Sequence, residues 1–268
     1  MNEPRFSIVT ITLNDRAGLA ETHASVTAQT CSDFEWLVID GASSDGTLEY
    51  LRQLTHPDCN WISERDGGLY DAMNKGLDRA TGQYIIFMNS GDRFAGAGTL
   101  ARIAGALDEN GGSWDFLFGD ALEEAAGGDL LLKRARPASF VSYGMFTHHQ
   151  AMLYARRAIA GMRYDCTYVI AGDYDFTCRL LARGASSLYL GFPVTINKRG
   201  GLSEKNTGIG RRENLAIQKT VLNLGLARRA TNYAAFLGSS FMRTYLRGLY
   251  DLIRFRQNIP LNGSPLKG

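Results

Sequence analysis

Short apolar runs that each stop at a polar cluster constrain this chain most. They fall at 6–13 (FSIVTITL), 34–39 (FEWLVI), 60–63 and 84–88 (YIIFM), the last being the most apolar. Each is too brief for a buried helix and most are rich in β-branched or aromatic residues, so they read as strands. The segments between them, 18–29, 44–54 and 69–80, read as helices. Strand and helix alternating at this rhythm predict a parallel α/β sheet. In such a sheet, ligands sit at the carboxyl ends of the strands. Here those ends carry Thr12 and Asn14, then Asp40, Ser43 and Asp45, then Glu64 and Asp66, then Asn89-Ser90-Gly91-Asp92. Any one of these could merely cap the following helix. Four together define a binding rim.

Beyond about residue 110 the rhythm changes. Residues 115–119 and the segments flanking Gly127-Gly128 suggest a hairpin, 151–154 another strand, and 173–183 a helix with Phe176, Leu180 and Leu181 on it. From Arg211 to Pro260 the pattern is expected to be helical throughout. We therefore expect one domain over 1–205, with a first half at 1–110 and a second at 111–205. A helical C-terminal region would follow at 206–268. A 45% hydrophobic, 21% charged chain of 268 residues has ample core material, and a net charge of +2 gives no reason to expect a nucleic-acid partner. No apolar stretch approaches the roughly 20 residues of a membrane-spanning helix, and the start of the chain lacks the features of a signal peptide. Cys31, Cys59, Cys166 and Cys178 are scattered without a CxxC pair. They are expected as reduced thiols in a cytoplasmic protein, not as a disulfide frame or zinc site.

The stretches SIVTITLN, FEWLVIDGASSDGT, DGGLYDAMNKGLDRATGQYI and FMNSGD together resemble the nucleotide-binding half of the family 2 glycosyltransferases. The likeness is clearest over about 5–95 and 145–205. It implies the A-type glycosyltransferase fold, a Rossmann-like, mostly parallel sheet with helices on both faces. It also implies inverting transfer of a single sugar from a nucleotide-sugar donor to a glycan or lipid-linked glycan acceptor, as in bacterial surface-polysaccharide assembly. By that resemblance Thr12, Asn14, Asp40 and Asp45 hold the donor's base and ribose, Asp66 lies near nucleotide and sugar, and Asn89 and Ser90 border the donor. Asp92 matches the last acidic residue of the family's metal motif, in which the first carboxylate is here replaced by Asn89. One carboxylate completed by the donor's diphosphate still suits Mg²⁺ or Mn²⁺, so metal binding without nucleotide is expected to be weak. Asp173 matches the catalytic Asp of a Glu-Asp motif whose Glu is replaced by Gly172. A positioned carboxylate accepts the proton of an attacking hydroxyl, and Asp175 is the weaker alternative.

His148 and His149 are candidate acceptor or diphosphate contacts. As neighbours they point different ways, so at most one is expected to face the site. Arg199, beside Lys198 and before Gly200-Gly201, is a candidate for a loop that closes on phosphates. At 100° per residue, Arg229, Arg243, Arg247 and Arg254 fall on one helical face, with Leu237, Phe241, Tyr245, Leu249, Leu252 and Ile253 opposite. Such a helix either packs its apolar face on the domain or lies on an anionic membrane surface at the inner face of the cell membrane. Gln-x-x-Arg-Trp and membrane helices, expected of processive synthases, are missing from the sequence. A dehydrogenase is disfavoured because Gly96-Ala97-Gly98 lies too far beyond its strand. An inactive nucleotide-sugar-binding module and a nucleotidyltransferase stand as the alternatives.

Overall fold

The structure, a computed structural model, describes residues 3–54, 56, 59–125, 127–198, 206–246, 248 and the backbone of 258–259. Strands β1 (Phe6–Thr12), β2 (Phe34–Asp40), β3 (Cys59–Ser63) and β4 (Tyr84–Phe87) alternate with α1 (Arg16–Thr27), α2 (Thr47–Gln53) and α3 (Leu69–Arg79). The two-residue β5 (Arg93–Phe94) and α4 (Thr99–Glu109) follow. The second half contributes β6 (Phe116–Glu124), β7 (Leu130–Lys133), β8 (Met152–Ala155), α5 (Gly172–Ala182) and β9 (Ser187–Lys198). Two further helices, α6 (Thr207–Thr220) and α7 (Leu226–Tyr245), precede the short β10 (Asn258–Ile259).

One sheet runs through both halves in the order β10-β7-β6-β8-β4-β1-β2-β3, with β9 beside β6 and β5 on β9. The β3-β2-β1-β4 portion is parallel, as the alternation predicts. Past β4 the sheet becomes mixed: β8 runs antiparallel to β4 and β6, and the expected hairpin is β6–β7. Register matters for the site. Thr12 stands opposite Asp40, and Asp40 opposite Ser63, so three strands end in line.

Because β1, β2 and β4 are covered on both faces, their apolar runs are continuous instead of alternating. Phe6, Ile8, Trp36, Val38 and Ile86 pack toward Leu19 of α1, Leu51 of α2 and Leu100, Ile103 and Leu107 of α4. Val9, Ile11, Leu37, Ile39 and Phe87 pack the other way, toward Tyr70 and Met73 of α3 and Phe176 and Leu180 of α5. The A-type α/β architecture with helices on both faces is thus present. Asp15 caps α1 by accepting the Gly18 N–H at 3.0 Å, and Asp45 opens α2 by accepting the Thr47 N–H at 3.1 Å.

The C-terminal region departs from the expected continuous helix. The chain breaks between α6 and α7, where Asn223 adopts φ 49°, and 258–259 form a strand against Leu130 and Leu131. The orientation of α7 also differs from simple packing of its apolar side on the domain. Asn232 is buried and donates to the Ser142 carbonyl at 2.7 Å, while Tyr233, Leu237, Phe241 and Tyr245 face outward. Arg229 lies on the inner side, half-buried, and donates to the Leu224 carbonyl. Arg247 and Arg254 of the expected arginine face, and the apolar residues beyond Leu246, lie outside the described residues.

Candidate active site

The carboxyl ends of β1, β2 and β3 form a closely bonded rim. Asp40 is fully buried, and its carboxylate accepts from the Ser43 N–H at 3.1 Å and from the Ser43 and Ser63 hydroxyls at 2.5 Å. Asn14, at φ 50°, accepts the Ser44 N–H at 2.8 Å and gives its own N–H to Ser43. Asp45 accepts from Arg16 N–H and from Thr47, and these bonds, the Thr47 hydroxyl first, hold its carboxyl below the usual range. Asp66 accepts the Gly68 N–H at 3.0 Å, and its carboxylate lies close over Gly41. Thr12 Oγ1 is buried with no partner among the described residues. Thr12, Asn14, Asp40, Asp45 and Asp66 therefore gather on one rim.

Beside that rim opens a cleft of about 1310 Å³, lined by Asn89, Ser90, Asp92, His148 and Asp173 among others. The Asn89–Asp92 turn closes with Asp92 N–H donating to the Asn89 carbonyl at 2.9 Å. Thr22 of α1 pins it, giving its hydroxyl to the Asp92 carbonyl at 2.8 Å and accepting the Gly91 N–H at 3.0 Å. Ser90 donates to Asp15 Oδ2 at 2.8 Å, tying the turn to the N-terminus of α1. Asp92 Oδ1 accepts from Asn197 Nδ2 at 3.0 Å, yet burial raises this carboxyl to about 7.

Asp173 stands in the first turn of α5 and lines the cleft. Its Oδ1 accepts the Tyr174 N–H at 2.8 Å, and burial lifts it to about 6, with Glu213 adding a smaller like-charge push. Asp175, by contrast, turns inward and accepts from Arg179 Nε at 2.8 Å. The geometry favours Asp173 of the two. Gly172 has a local cause. A Cβ there would lie 2.7 Å from the ring of Tyr70, whose hydroxyl donates to the Ile170 carbonyl at 2.6 Å. The tyrosine occupies the space that a Glu side chain would need. Glu213 of α6 fixes the approach to α5, its carboxylate accepting the N–H groups of Val169, Ile170 and Ala171 at 2.7 to 2.9 Å.

Both histidines border the cleft, in different surroundings. His148 faces the cleft, its Nε2 2.8 Å from Glu123 Oε1 and 2.9 Å from Lys133 Nζ. His149 is buried against Phe87, Tyr154 and Tyr164, with its Nε2 3.0 Å from the Tyr164 hydroxyl, and burial pushes it down to about 3. It is buried and neutral, and it too borders the cleft. Arg199 lies outside the described residues. Sequence reasoning missed Asp15, Asn197 and the Glu123–Lys133 pair, 2.6 Å apart. Only Asp15 had a signal, its place at the end of a strand. Lys133, Arg134, Arg136 and Lys198 also line the cleft. Among the described residues no cluster of three or more His, Cys, Asp or Glu is placed to hold a metal. The four cysteines are free.

A parallel sheet ending in an acid-and-amide rim, with a mixed-sheet half that folds a carboxylate toward the same cleft, defines an A-type glycosyltransferase. The described pattern of Glycosyl transferase family 2 matches residues 7–120. A glycosyltransferase of Mycobacterium tuberculosis described as uncharacterized is 34% identical over 255 residues, covering 91% of both chains. The PGL/p-HBAD biosynthesis glycosyltransferase of Mycobacterium bovis is 34% identical over 220 residues, covering 76% of this chain and 80% of its own. The chain belongs to glycosyl transferase family 2. Among solved structures, S. aureus TarS 1-349 in complex with UDP-GlcNAc superposes with a TM-score of 0.64 at 19% identity, over 90% of this chain and 74% of that one. Against the longer S. aureus TarS chain, coverage falls to 43% of that chain, with a TM-score of 0.62. The mannosyltransferase PcManGT from Pyrobaculum calidifontis, in complex with GDP-Man and Mn²⁺, gives 0.62 at 18% identity, over 90% and 76%.

Proposed function

We propose that this chain transfers a single sugar from a nucleotide-sugar donor to an acceptor hydroxyl with inversion, in polysaccharide or lipid-linked glycan assembly at the cytoplasmic side of a membrane. Residues 1–110 form the donor half and 111–205 the acceptor half. The observation that carries the reading is the buried carboxylate of Asp173, standing in the same cleft as the Asn89–Asp92 turn.

Thr12, Asn14, Asp40, Asp45 and Asp66 take the nucleoside, and Asn89 and Ser90 border the sugar-diphosphate. Thr12 Oγ1 and Asn89 Oδ1, both buried and without partners among the described residues, are the unsatisfied groups a ligand would be expected to meet. The acceptor O–H gives its proton to Asp173 as the oxygen bonds to the anomeric carbon. The anomeric C–O bond to the diphosphate breaks from the opposite face, and the nucleoside diphosphate departs. Lys133, Arg134 and His148 then face the anion that leaves.

The residues present suit a divalent cation, because an orphaned amide oxygen on Asn89 and the carboxylate of Asp92 lie on one turn and both are hard oxygen donors. Mg²⁺ or Mn²⁺ held there with the donor's diphosphate would neutralise charge on the leaving group. TarS with UDP-GlcNAc and PcManGT with GDP-Man and Mn²⁺ support the same reading by fold.

Melting the purified protein with UDP, GDP, dTDP or CMP sugars, with and without Mn²⁺, tests this directly. A ligand that binds only the folded state raises the melting temperature. Cation-dependent stabilisation by one nucleotide class is expected. No shift with any of them would overturn the donor site.

A further inference from the structure

We propose that Tyr70 and Asn74 of α3 are positioning residues that hold Asp173 where the acceptor hydroxyl meets it. The proposal rests on the reading of Asp173 as the base. The stretch DGGLYDAMNKG carries these two side chains four residues apart, which on a helix puts them on one face. The helix itself is firmly seated. A Cβ on Gly76 would lie 2.4 Å from Val9 Cγ1, so α3 lies directly against β1. Met73 is buried in the same cluster as Val9. Close packing of this kind transmits position, so whatever α3 grips is referred to the centre of the sheet.

Both side chains grip the chain that leads into α5. Tyr70 is buried at the wall of the cleft, and its hydroxyl donates to the Ile170 carbonyl at 2.6 Å. Burial first, and the nearby Asp173 carboxylate second, push this phenol up, while the N–H groups of Gly172 and Asp173 lie against its oxygen and act the other way. Those N–H groups open α5 and have no partner inside the helix. The N-cap residue, Ala171, offers them no side chain, so Tyr70 serves as a cap from another element. The next N–H, of Tyr174, goes to Asp173 Oδ1 at 2.8 Å. Asn74 holds the chain a few residues earlier. Its Oδ1 accepts the Tyr164 N–H at 2.8 Å, and its Nδ2 donates to the Tyr164 carbonyl at 3.0 Å. The Tyr164 ring stacks with Tyr70 at 5.7 Å and with Phe176 of α5 at 4.3 Å.

Tyr70 acts through Asp173 and not on the substrate. Its hydroxyl hydrogen is committed to the Ile170 carbonyl, and burial keeps the phenol protonated, so it is no proton acceptor. Position is what it supplies. A base has to stand within about 2.6–3.2 Å of the proton it takes, and a shift of about 1 Å can cost about a hundredfold in rate. Gly172 has no side chain to steady the turn before Asp173, and the Tyr70 ring fills that place. Ile170 is fixed at both polar groups, its N–H on Glu213 at 2.9 Å and its carbonyl on Tyr70.

Hydrolysis of the nucleotide sugar by the full chain tests this, with water as the acceptor hydroxyl and released nucleotide as the readout. The probe is whichever UDP, GDP, dTDP or CMP sugar raises the melting temperature, with Mn²⁺ present. Tyr70→Phe removes one hydroxyl and keeps the ring. It should lower kcat about tenfold, with the donor KM and the melting shift unchanged. Added to Asp173→Asn, the same substitution should cost no further activity, because the group it positions is already gone. Asn74→Ala loosens Tyr164 without touching Ile170. It should show the same coupling to Asp173, and it decides the matter if Tyr70→Phe does not fold. Equal losses in the wild-type and Asp173→Asn backgrounds would overturn the proposal, since they would make the two residues supports of the fold alone. So would normal release by Tyr70→Phe beside lost release by Asp173→Asn, which fails this proposal and leaves the transferase reading intact. Release that Asp173→Asn leaves unchanged fails the reading of Asp173 as base, and this proposal with it.

Discussion

Burial raises Asp173 to about 6 from an ordinary 3.8, and this has opposite consequences for stability and for rate. The folded chain holds this proton more tightly than the unfolded chain. The contribution of the site to stability is therefore complete below about pH 4 and is lost as pH rises through 6. At pH 7 the carboxylate is a net cost, so Asp173→Asn should stabilise the fold by about 1–3 kcal/mol while lowering turnover by about 10²–10⁴. Donor affinity should survive. Wild-type turnover should show an acid limb with an inflection near 6, and denaturant melts beside a pH–rate profile would check both halves. A second expectation concerns Gly172. Gly172→Ala drives a methyl group into the Tyr70 ring and should cost about 1–3 kcal/mol. In a double-mutant cycle with Tyr70→Leu that cost should shrink, whereas additive losses would dismiss the clash. At this scale the sequence disclosed residues whose chemistry is local. Asp173 and Asp92 follow strand or loop signals and match a known pattern. The buried fate of His149 and the Tyr70 ring over Gly172 depend on residues far away in the chain, and no spacing rule reveals them.

Elements that alternate by simple period were legible, and elements that break period were not. β1 to β4 and α1 to α3 follow from their apolar runs and helix-opening aspartates. β9 did not, because Gly191 at φ 73° and Pro193 interrupt it and shift its register against β6. Yet β9 carries Asn197 to Asp92. β5, at two residues, has no signal of its own. The loop before α5 depends on a partner from another element. Three N–H groups at 169–171 meet one carboxylate from α6, and charge-assisted bonds of this kind are stronger than neutral ones. Glu213→Gln should cost about 1–3 kcal/mol and should lower kcat more than donor affinity, because the loop leads directly into Asp173. A melt paired with steady-state kinetics would show it. Unchanged kcat beside a lowered melting point would make Glu213 purely structural.

Across the whole molecule, the sheet joins two ends with different stabilities. β1, β2 and β4 are buried on both faces, so their amides should exchange hydrogen only through global unfolding. α7 buries little beyond Asn232 and leaves its apolar stripe in water, so it should exchange early. The fold class was readable because it rests on the repeating half. The outward stripe was not, because a helical wheel places the apolar residues on one side without saying which side meets the domain. Exchange measured by mass spectrometry on the full chain would separate the two ends. A nucleotide sugar with Mn²⁺ should slow exchange at the strand ends, around 41–47 and 89–92, and leave α7 unchanged. If nucleotide alone protects α7, the donor site and the helix close as one unit. Acceptor entry would then be gated by donor binding.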